Sequence, residues 1–392
     1  MPSSASPGQL LDRTRPGPLQ FFATCARGIE PVLARELVAL DAAEVVAARG
    51  GVHFQGDKEL LYRANLWLRS AIRVLQPILQ VDAHTTEELY DAVRIIDWQR
   101  YLTTEHTIAV DCNVRDSHIT HSKYAALKTK DAICDQFVDR LGRRPSVDVE
   151  RPMVGLNLHI HRDVAVLSLD SSGDSLHKRG YRSILTKAPL NEALAAALVL
   201  ISGWQHDTPF ADPMCGSGTL PIEAGWMATA RAPGLTRRHF GFQGWMDFDV
   251  SLWTALRDDA RSQILKRLKA PILGSDARAD AIRHSMRNAR SAGLGHLLQF
   301  DIRDIRKWRA PDGPPGTLIC NPPYGQRMGE AHELSGLYHC LGKVFRQQCR
   351  GWNVFVFTAN RALAGSIGLP MIGSTALFNG KIACQLSQFE TT

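Results

Sequence analysis

Apolar positions recur along the chain with two periods, and segments governed by each alternate. Short β-type runs, FFATC from Phe21 and GVHF from Gly51, flank stretches with apolar residues three and four apart, GIEPVLARELVAL and LLYRANLWLRSAIRVL. This pattern predicts a small α+β domain over residues 20–80. A second α+β block follows over residues 81–172. It comprises helix ELYDAVRII, strand TIAVDCNV, basic helix YAALKTKDAICDQFVDRL and strands VGLNLHIH and AVLSLDSS. From residue 189 onward helix and strand alternate, as a parallel sheet requires, with Pro189 suited to the first turn of helix LNEALAAALVL. The strands expected there are PFAD, APILGSD, LLQFD, TLICN and WNVFVFT. ALF and KIACQLSQF, separated by Asn379-Gly380, predict a tight hairpin and hence one antiparallel strand in that sheet.

Residues 1–19 are rich in Pro, Ser and Gly and read as a flexible tail without a secretory signal. Residues 173–188, within GDSLHKRGYRSILTKAP, read as a connector. With 392 residues, 44% hydrophobic and 22% charged, the chain has ordinary globular usage and room for two or three cores. No apolar run reaches the roughly 18 residues of a membrane helix. The 8 cysteines form no C-x-x-C pair, so no metal site or disulfide framework is expected, and a reducing cytoplasm is. A net charge of +7 favours a polyanionic partner. Lys123, Lys128 and Lys130, with Arg143 and Arg144 soon after, and Lys178, Arg179 and Arg182 in the connector are the candidate contacts for a nucleic-acid polyanion. A solvated helix face and a plain linker are the alternatives.

Asp212-Pro213-Met214-Cys215-Gly216-Ser217-Gly218-Thr219 sits between a strand and a helix, where glycines let backbone approach a ligand at the carboxyl end of a parallel sheet. It lacks the Lys-Ser/Thr ending of a phosphate-cradling loop and the G-x-G-x-x-G spacing, which disfavours nucleotide phosphates. Gly274-Ser275-Asp276 ends the next strand with a carboxylate suited to a ribose diol, although helix capping would also explain it. Asp276 lies 58 positions after Gly218, so an insertion carrying Arg231, Arg237, Arg238 and several aromatics must be accommodated. That mixture suits nucleic acid or a packed subdomain equally. Asp301 and Asp304 follow a third strand, where a carboxylate can accept from an adenine amino group.

Asn321-Pro322-Pro323-Tyr324 follows the apolar strand TLIC. An exocyclic amine has its lone pair delocalised into the base. An amide oxygen and a fixed carbonyl that accept both amine hydrogens help it pyramidalise toward a methyl sulfonium. Asn321 and the Pro322 carbonyl can fill these roles, Pro323 stiffens the turn, and Tyr324 offers a face for a flipped-out base.

DPMCGSGT, GSD and NPPY together resemble a class I methyltransferase with the amino-methylating signature. FFATCARGIEP, YRANLWLR, AALKTKDAI, GRRPSVD, SLHKRGYR and LFNGKIACQLSQF extend the likeness, from about Phe21 to Phe389, to bacterial THUMP-containing RNA guanine methyltransferases of the RlmL type. The resemblance implies ferredoxin-like and THUMP domains before a Rossmann-like catalytic domain over residues 189–392. It also implies methylation of the guanine N2 amine in 23S rRNA, free or in a ribosome assembly intermediate. Asp212, Pro213, Cys215, Gly216, Ser217 and Gly218 would then cradle S-adenosylmethionine, Asp276 its ribose and Asp304 its adenine, while Asn321 to Tyr324 hold the target base. The family's fused members carry a second methyltransferase domain for which this chain has no room. A tRNA guanine methyltransferase and an inactive ribosome-assembly factor are the alternatives. A DNA adenine methyltransferase shares the tetrapeptide but not the THUMP-like half.

Overall fold

A computed structural model describes residues 9–10, 17–182, 190–324 and 330–391. The N-terminal unit runs β1 (Gln9–Leu10), β2 (Leu19–Thr24), α1 (Glu30–Val38), β3 (Ala43–Ala48), β4 (Gly51–Gly56), α2 (Lys58–Trp67) and β5 (Arg73–Asp82). The expected tail is thus partly structured, because Gln9 and Leu10 pair with Gln80 and Leu79. Asp57 caps α2 by accepting from the Leu60 N–H at 2.8 Å. The helix stops at Trp67, earlier than the apolar spacing suggests. Glu36 accepts from the backbone N–H groups of Arg69 and Ser70 at 2.7 and 3.0 Å and pins the chain there in a turn into β5. Apolar residues of a doubly covered strand carry no alternation to separate them from a buried helix.

The second unit follows as α3 (Thr86–Ile95), β6 (Thr107–Arg115), α4 (Ser122–Leu141), β7 (Ser146–Val147), β8 (Val154–His161) and β9 (Val164–Asp170). A capping box of Thr85 and Glu88 starts α3, and Gly142 at φ +66° ends α4. The two units share one sheet, in the order β3-β4-β2-β5-β9-β8-β6-β7, because β5 pairs along its length with β9. The boundary expected at residue 80 therefore falls inside β5.

The catalytic unit contains α5 (Glu192–Ile201), β10 (Phe210–Asp212), α6 (Thr219–Ala228), α7 (Val250–Ser262), β11 (Ile272–Asp276), α8 (Ala279–Ser291) and β12 (Gln299–Ile302). It continues with β13 (Thr317–Cys320), α9 (Glu330–Gln348), β14 (Asn353–Thr358), α10 (Arg361–Gly365), β15 (Met371–Asn379) and β16 (Ile382–Phe389). Asn191 caps α5, and Pro189 lies outside the described residues. The sheet order is β12-β11-β10-β13-β14-β16-β15, parallel except for β16, which runs antiparallel to both neighbours as the Asn-Gly hairpin predicts. Strand order reverses at β10 and β13, which opens a crevice at their carboxyl ends.

The connector is not a solvated linker where it is described. Leu176, Arg179 and Tyr181 are buried. The Arg237 guanidinium donates to the carbonyls of Ser172, Asp174, Ser175 and Lys178 at 2.7–3.2 Å, which straps this segment to the catalytic unit. The insertion that carries Arg237 is a packed subdomain. Phe242 stacks on Tyr62 of α2 with ring centroids 4.3 Å apart, and Trp253 meets Phe242 edge-on at 5.0 Å.

Candidate active site

The loop after β10 turns on two left-handed glycines, Gly216 at φ +54° and Gly218 at φ +82°. A Cβ on Gly218 would stand 2.7 Å from that of Ser285, whereas one on Gly216 would meet only open space. The loop is held from three sides. Cys215 donates its N–H to the Ser275 carbonyl at 2.8 Å, and Gly218 donates to Cys215 at 2.8 Å. Asn288 of α8 donates to the Ser217 carbonyl at 3.0 Å, and the Ser275 hydroxyl reaches the Pro213 carbonyl at 3.4 Å. Asp212 is buried and accepts from the Met214 N–H at 3.1 Å. Burial holds its carboxyl well above the usual range, with the Asp276 charge adding to the effect.

Asp276 ends β11 beside this loop. Its Oδ2 accepts from the Gly216 N–H at 3.0 Å and its Oδ1 from the Arg278 N–H at 2.9 Å. A carboxylate has about four acceptor positions, so lone pairs remain for a ribose diol. Arg303 donates its N–H to the Asp276 carbonyl at 2.9 Å, bringing Asp304 alongside. Asp304 is gripped by Arg306, whose side-chain nitrogens lie 2.8 and 2.6 Å from its two oxygens, and these bonds hold its carboxyl far below the usual range. An adenine amine would share it with that guanidinium. Asp301 instead forms an ion pair with Arg303 at 2.6 Å.

Asn321 follows β13, the strand next to β10. Its Oδ1 is buried and accepts no hydrogen bond among the described residues. Such an orphaned acceptor is costly unless a ligand donor meets it. Pro322 is buried, Pro323 exposed and Tyr324 half-buried. The Tyr324 hydroxyl lies 3.5 Å from the amide nitrogen of Asn379 at the β15–β16 hairpin.

The basic residues separate into two groups. Lys123 and Arg144 are exposed, as is Arg143, which lies 3.7 Å from Glu105, whereas the less exposed Lys128 pairs with Glu87 at 3.6 Å over the rings of Tyr90 and Tyr124 and Lys130 pairs with Asp131 at 2.5 Å. Lys178 is exposed and pairs with Asp174 at 3.0 Å. Arg179 and Arg182, expected to meet RNA, do not face solvent. Arg179 is paired with Glu223 at 2.9 Å in the interior, and Arg182 lies 3.5 Å from Glu192 and donates to Thr219 at 2.9 Å. A guanidinium enclosed with its own carboxylate has no phosphate-binding surface. Sequence reasoning also overlooked Ser285 and Asn288, which brace the glycine loop. Their signal was two polar side chains, three apart, on the buried stripe of α8.

Sheet order, the left-handed glycine loop and the strand-end Asp276 and Asn321 together define a class I methyltransferase, whose methyl donor is S-adenosylmethionine. The RlmL ferredoxin-like domain family matches residues 20–75, the THUMP domain family residues 83–170 and the RMKL-like methyltransferase domain family residues 179–388. A ribosomal RNA large subunit methyltransferase K/L of Syntrophotalea carbinolica is 46% identical over 95% of this chain, which spans 54% of that relative's length. A Synechocystis protein provisionally named an RNA methyltransferase is 43% identical, over 96% of this chain and 97% of that one. A provisionally assigned methyltransferase complexed with SAH superposes with a TM-score of 0.88 at 31% identity, covering 96% of this chain and 99% of that one. The chain belongs to the THUMP-containing methyltransferase family of the RlmL type.

Proposed function

We propose that the protein transfers the methyl group of S-adenosylmethionine to the N2 amine of a guanine in 23S rRNA, free or within a ribosome assembly intermediate. The observation that carries this reading is the buried Oδ1 of Asn321, without a hydrogen-bond partner among the described residues, at the carboxyl end of the strand beside the glycine loop. When bound, S-adenosylmethionine supplies an electrophilic methyl sulfonium. Residues 212–218 cradle it, Asp276 takes its ribose hydroxyls and Asp304 its adenine. Asn321 Oδ1 and the Pro322 carbonyl accept the two amine hydrogens and aim the nitrogen lone pair. Held by Asn321 and Pro322, the amine nitrogen would take the methyl group that S-adenosylmethionine supplies, with S-adenosylhomocysteine as the leaving group and a proton passing from the nitrogen to water. The Tyr324 ring stacks on the flipped-out base. Lys123, Arg143 and Arg144 are the exposed cations for RNA phosphates.

The names of the relatives and the THUMP match support RNA as substrate. Eight free cysteines suit a reducing cytoplasm, and no helix among the described residues is long and apolar enough to cross a membrane. The test is to incubate the chain with S-adenosylmethionine and 23S rRNA, tRNA or DNA, then identify the modified nucleoside by mass. N2-methylguanosine in 23S rRNA is expected. The same product in tRNA alone would redirect the substrate, and N6-methyladenine would overturn the guanine assignment.

A further inference from the structure

Three chain segments meet at the end of the THUMP sheet, outside the methyltransferase crevice. His84 follows β5, His118 follows β6, and Asp163 occupies the two-residue turn between β8 and β9. Arg162 and Asp163 have φ of +52° and +64°, a turn in which glycine is the usual second residue. Here that position carries a carboxylate, and it is fixed. Its Oδ1 accepts from the Ser117 hydroxyl and the His118 N–H, both at 2.8 Å. The Ala83 N–H binds the Asp163 carbonyl at 2.7 Å, which anchors the stretch that carries His84. Asp163 Oδ2 then faces the Nδ1 atoms of both imidazoles, at 2.8 Å from His118 and 3.4 Å from His84.

We infer that His84, His118 and Asp163 bind one borderline divalent cation, of which zinc is the type. One ligand atom from each residue lies within 4.8 Å of the other two. Tetrahedral ligands about 2.0–2.2 Å from zinc stand about 3.3–3.6 Å apart, so the cluster reaches that geometry by side-chain adjustments of about an ångström. Two imidazoles and a carboxylate suit zinc, copper or nickel better than calcium or magnesium. Oδ1, occupied by Ser117 and His118, orients the carboxylate as outer hydrogen bonds do in metal sites. Both rings are largely solvent-exposed, so water completes the coordination shell. The cation ties the ends of β5 and β6 to the β8–β9 turn.

The test uses the full chain, stripped of metal with a chelator and titrated with zinc chloride alone in a non-coordinating buffer, alongside His84→Ala, His118→Ala and Asp163→Asn. Asp163→Asn keeps an oxygen acceptor for Ser117 and His118 but removes the charge. Expected are one tightly bound zinc per chain and a higher unfolding temperature on loading. Each variant should weaken that site by at least about tenfold while binding S-adenosylmethionine normally, which certifies its fold. Cobalt substitution should give d–d bands without thiolate charge transfer, distinguishing this site from the cysteines. No stoichiometric zinc binding, binding unchanged in the two histidine variants, or a thiolate charge-transfer band would each overturn the assignment.

Discussion

Arg179→Met separates a structural from an RNA-binding role for a residue that the sequence placed in a basic connector. The guanidinium lies 2.9 Å from Glu223, and the side chains are 1% and 0% exposed. Removing one partner of such a pair costs about 3–5 kcal/mol, because the other charge stays buried. Here part of that cost is avoidable. Glu223 also accepts from the Tyr181 hydroxyl at 3.0 Å, and burial pushes its carboxyl from 4.5 up to about 7 even with Arg179 and Arg69 nearby. A folded-state value above the unfolded one means that the native protein holds this proton more tightly. The contribution, about 3 kcal/mol for a rise of this size, is fully present below about pH 4.5 and is lost as pH climbs through 7. Without Arg179 the carboxyl titrates higher still. The variant's deficit should therefore be small near about pH 5.5 and larger by about 1.4 kcal/mol at about pH 8, because each pH unit above the wild-type value adds about that much until the variant's own carboxyl ionises. Urea midpoints at the two pH values measure it, and fluorescence anisotropy of labelled rRNA should give wild-type affinity for the folded variant. Weakened RNA binding with unchanged urea midpoints at both pH values would refute the buried-pair reasoning.

Asp276→Ala removes the ribose acceptor and should weaken S-adenosylmethionine binding by about tenfold to a hundredfold in calorimetry; an unchanged affinity would take Asp276 out of the site. Gly218→Ala puts a Cβ against Ser285 at an unfavourable φ, and a strain of about 1–3 kcal/mol should weaken the cofactor by about tenfold. Wild-type affinity would show that the loop is not the cradle. In Asn321→Ala, cofactor affinity should persist while single-turnover methylation falls by about a hundredfold or more, and a retained rate would end the amine-acceptor reading. Replacing Lys123, Arg143 and Arg144 by Ala should flatten the salt dependence of RNA binding by about 0.7–0.9 in log–log slope per lost phosphate contact, whereas an unaltered slope marks a solvated face.

Local chemistry was the legible part of the sequence. The Asp212–Gly218 loop, the strand ending in Asp276 and the Asn-Gly hairpin at 379–380 are written in consecutive residues, and each lies where its pattern indicates. Features that depend on distant partners were not legible. Arg179 reads as a solvent-facing cation in a Gly-rich stretch, and only the fold brings Glu223, 44 positions away, against it. The start of β5 was hidden inside an apparent helix because Glu36 ends α2 from another element. His84, His118 and Asp163 lie too far apart in sequence to suggest a cluster. The absence of a C-x-x-C pair says nothing about sites built from imidazole and carboxylate.

The β5–β9 pairing also orders events during synthesis. One edge of β5 is met by β2 at Arg73–Leu75 and by β1 at Leu79–Gln80, and β9 pairs with Leu75–Asp82 on the other. The ferredoxin-like unit therefore emerges from the ribosome with much of an apolar strand edge open, and its partner is encoded more than 80 residues later. At about 5–20 residues per second, that edge waits roughly 4–20 s for its partner. During this interval it is an invitation to strand exchange with a neighbouring nascent chain or to chaperone capture. The chain passes through this exposed state before the shared sheet can close.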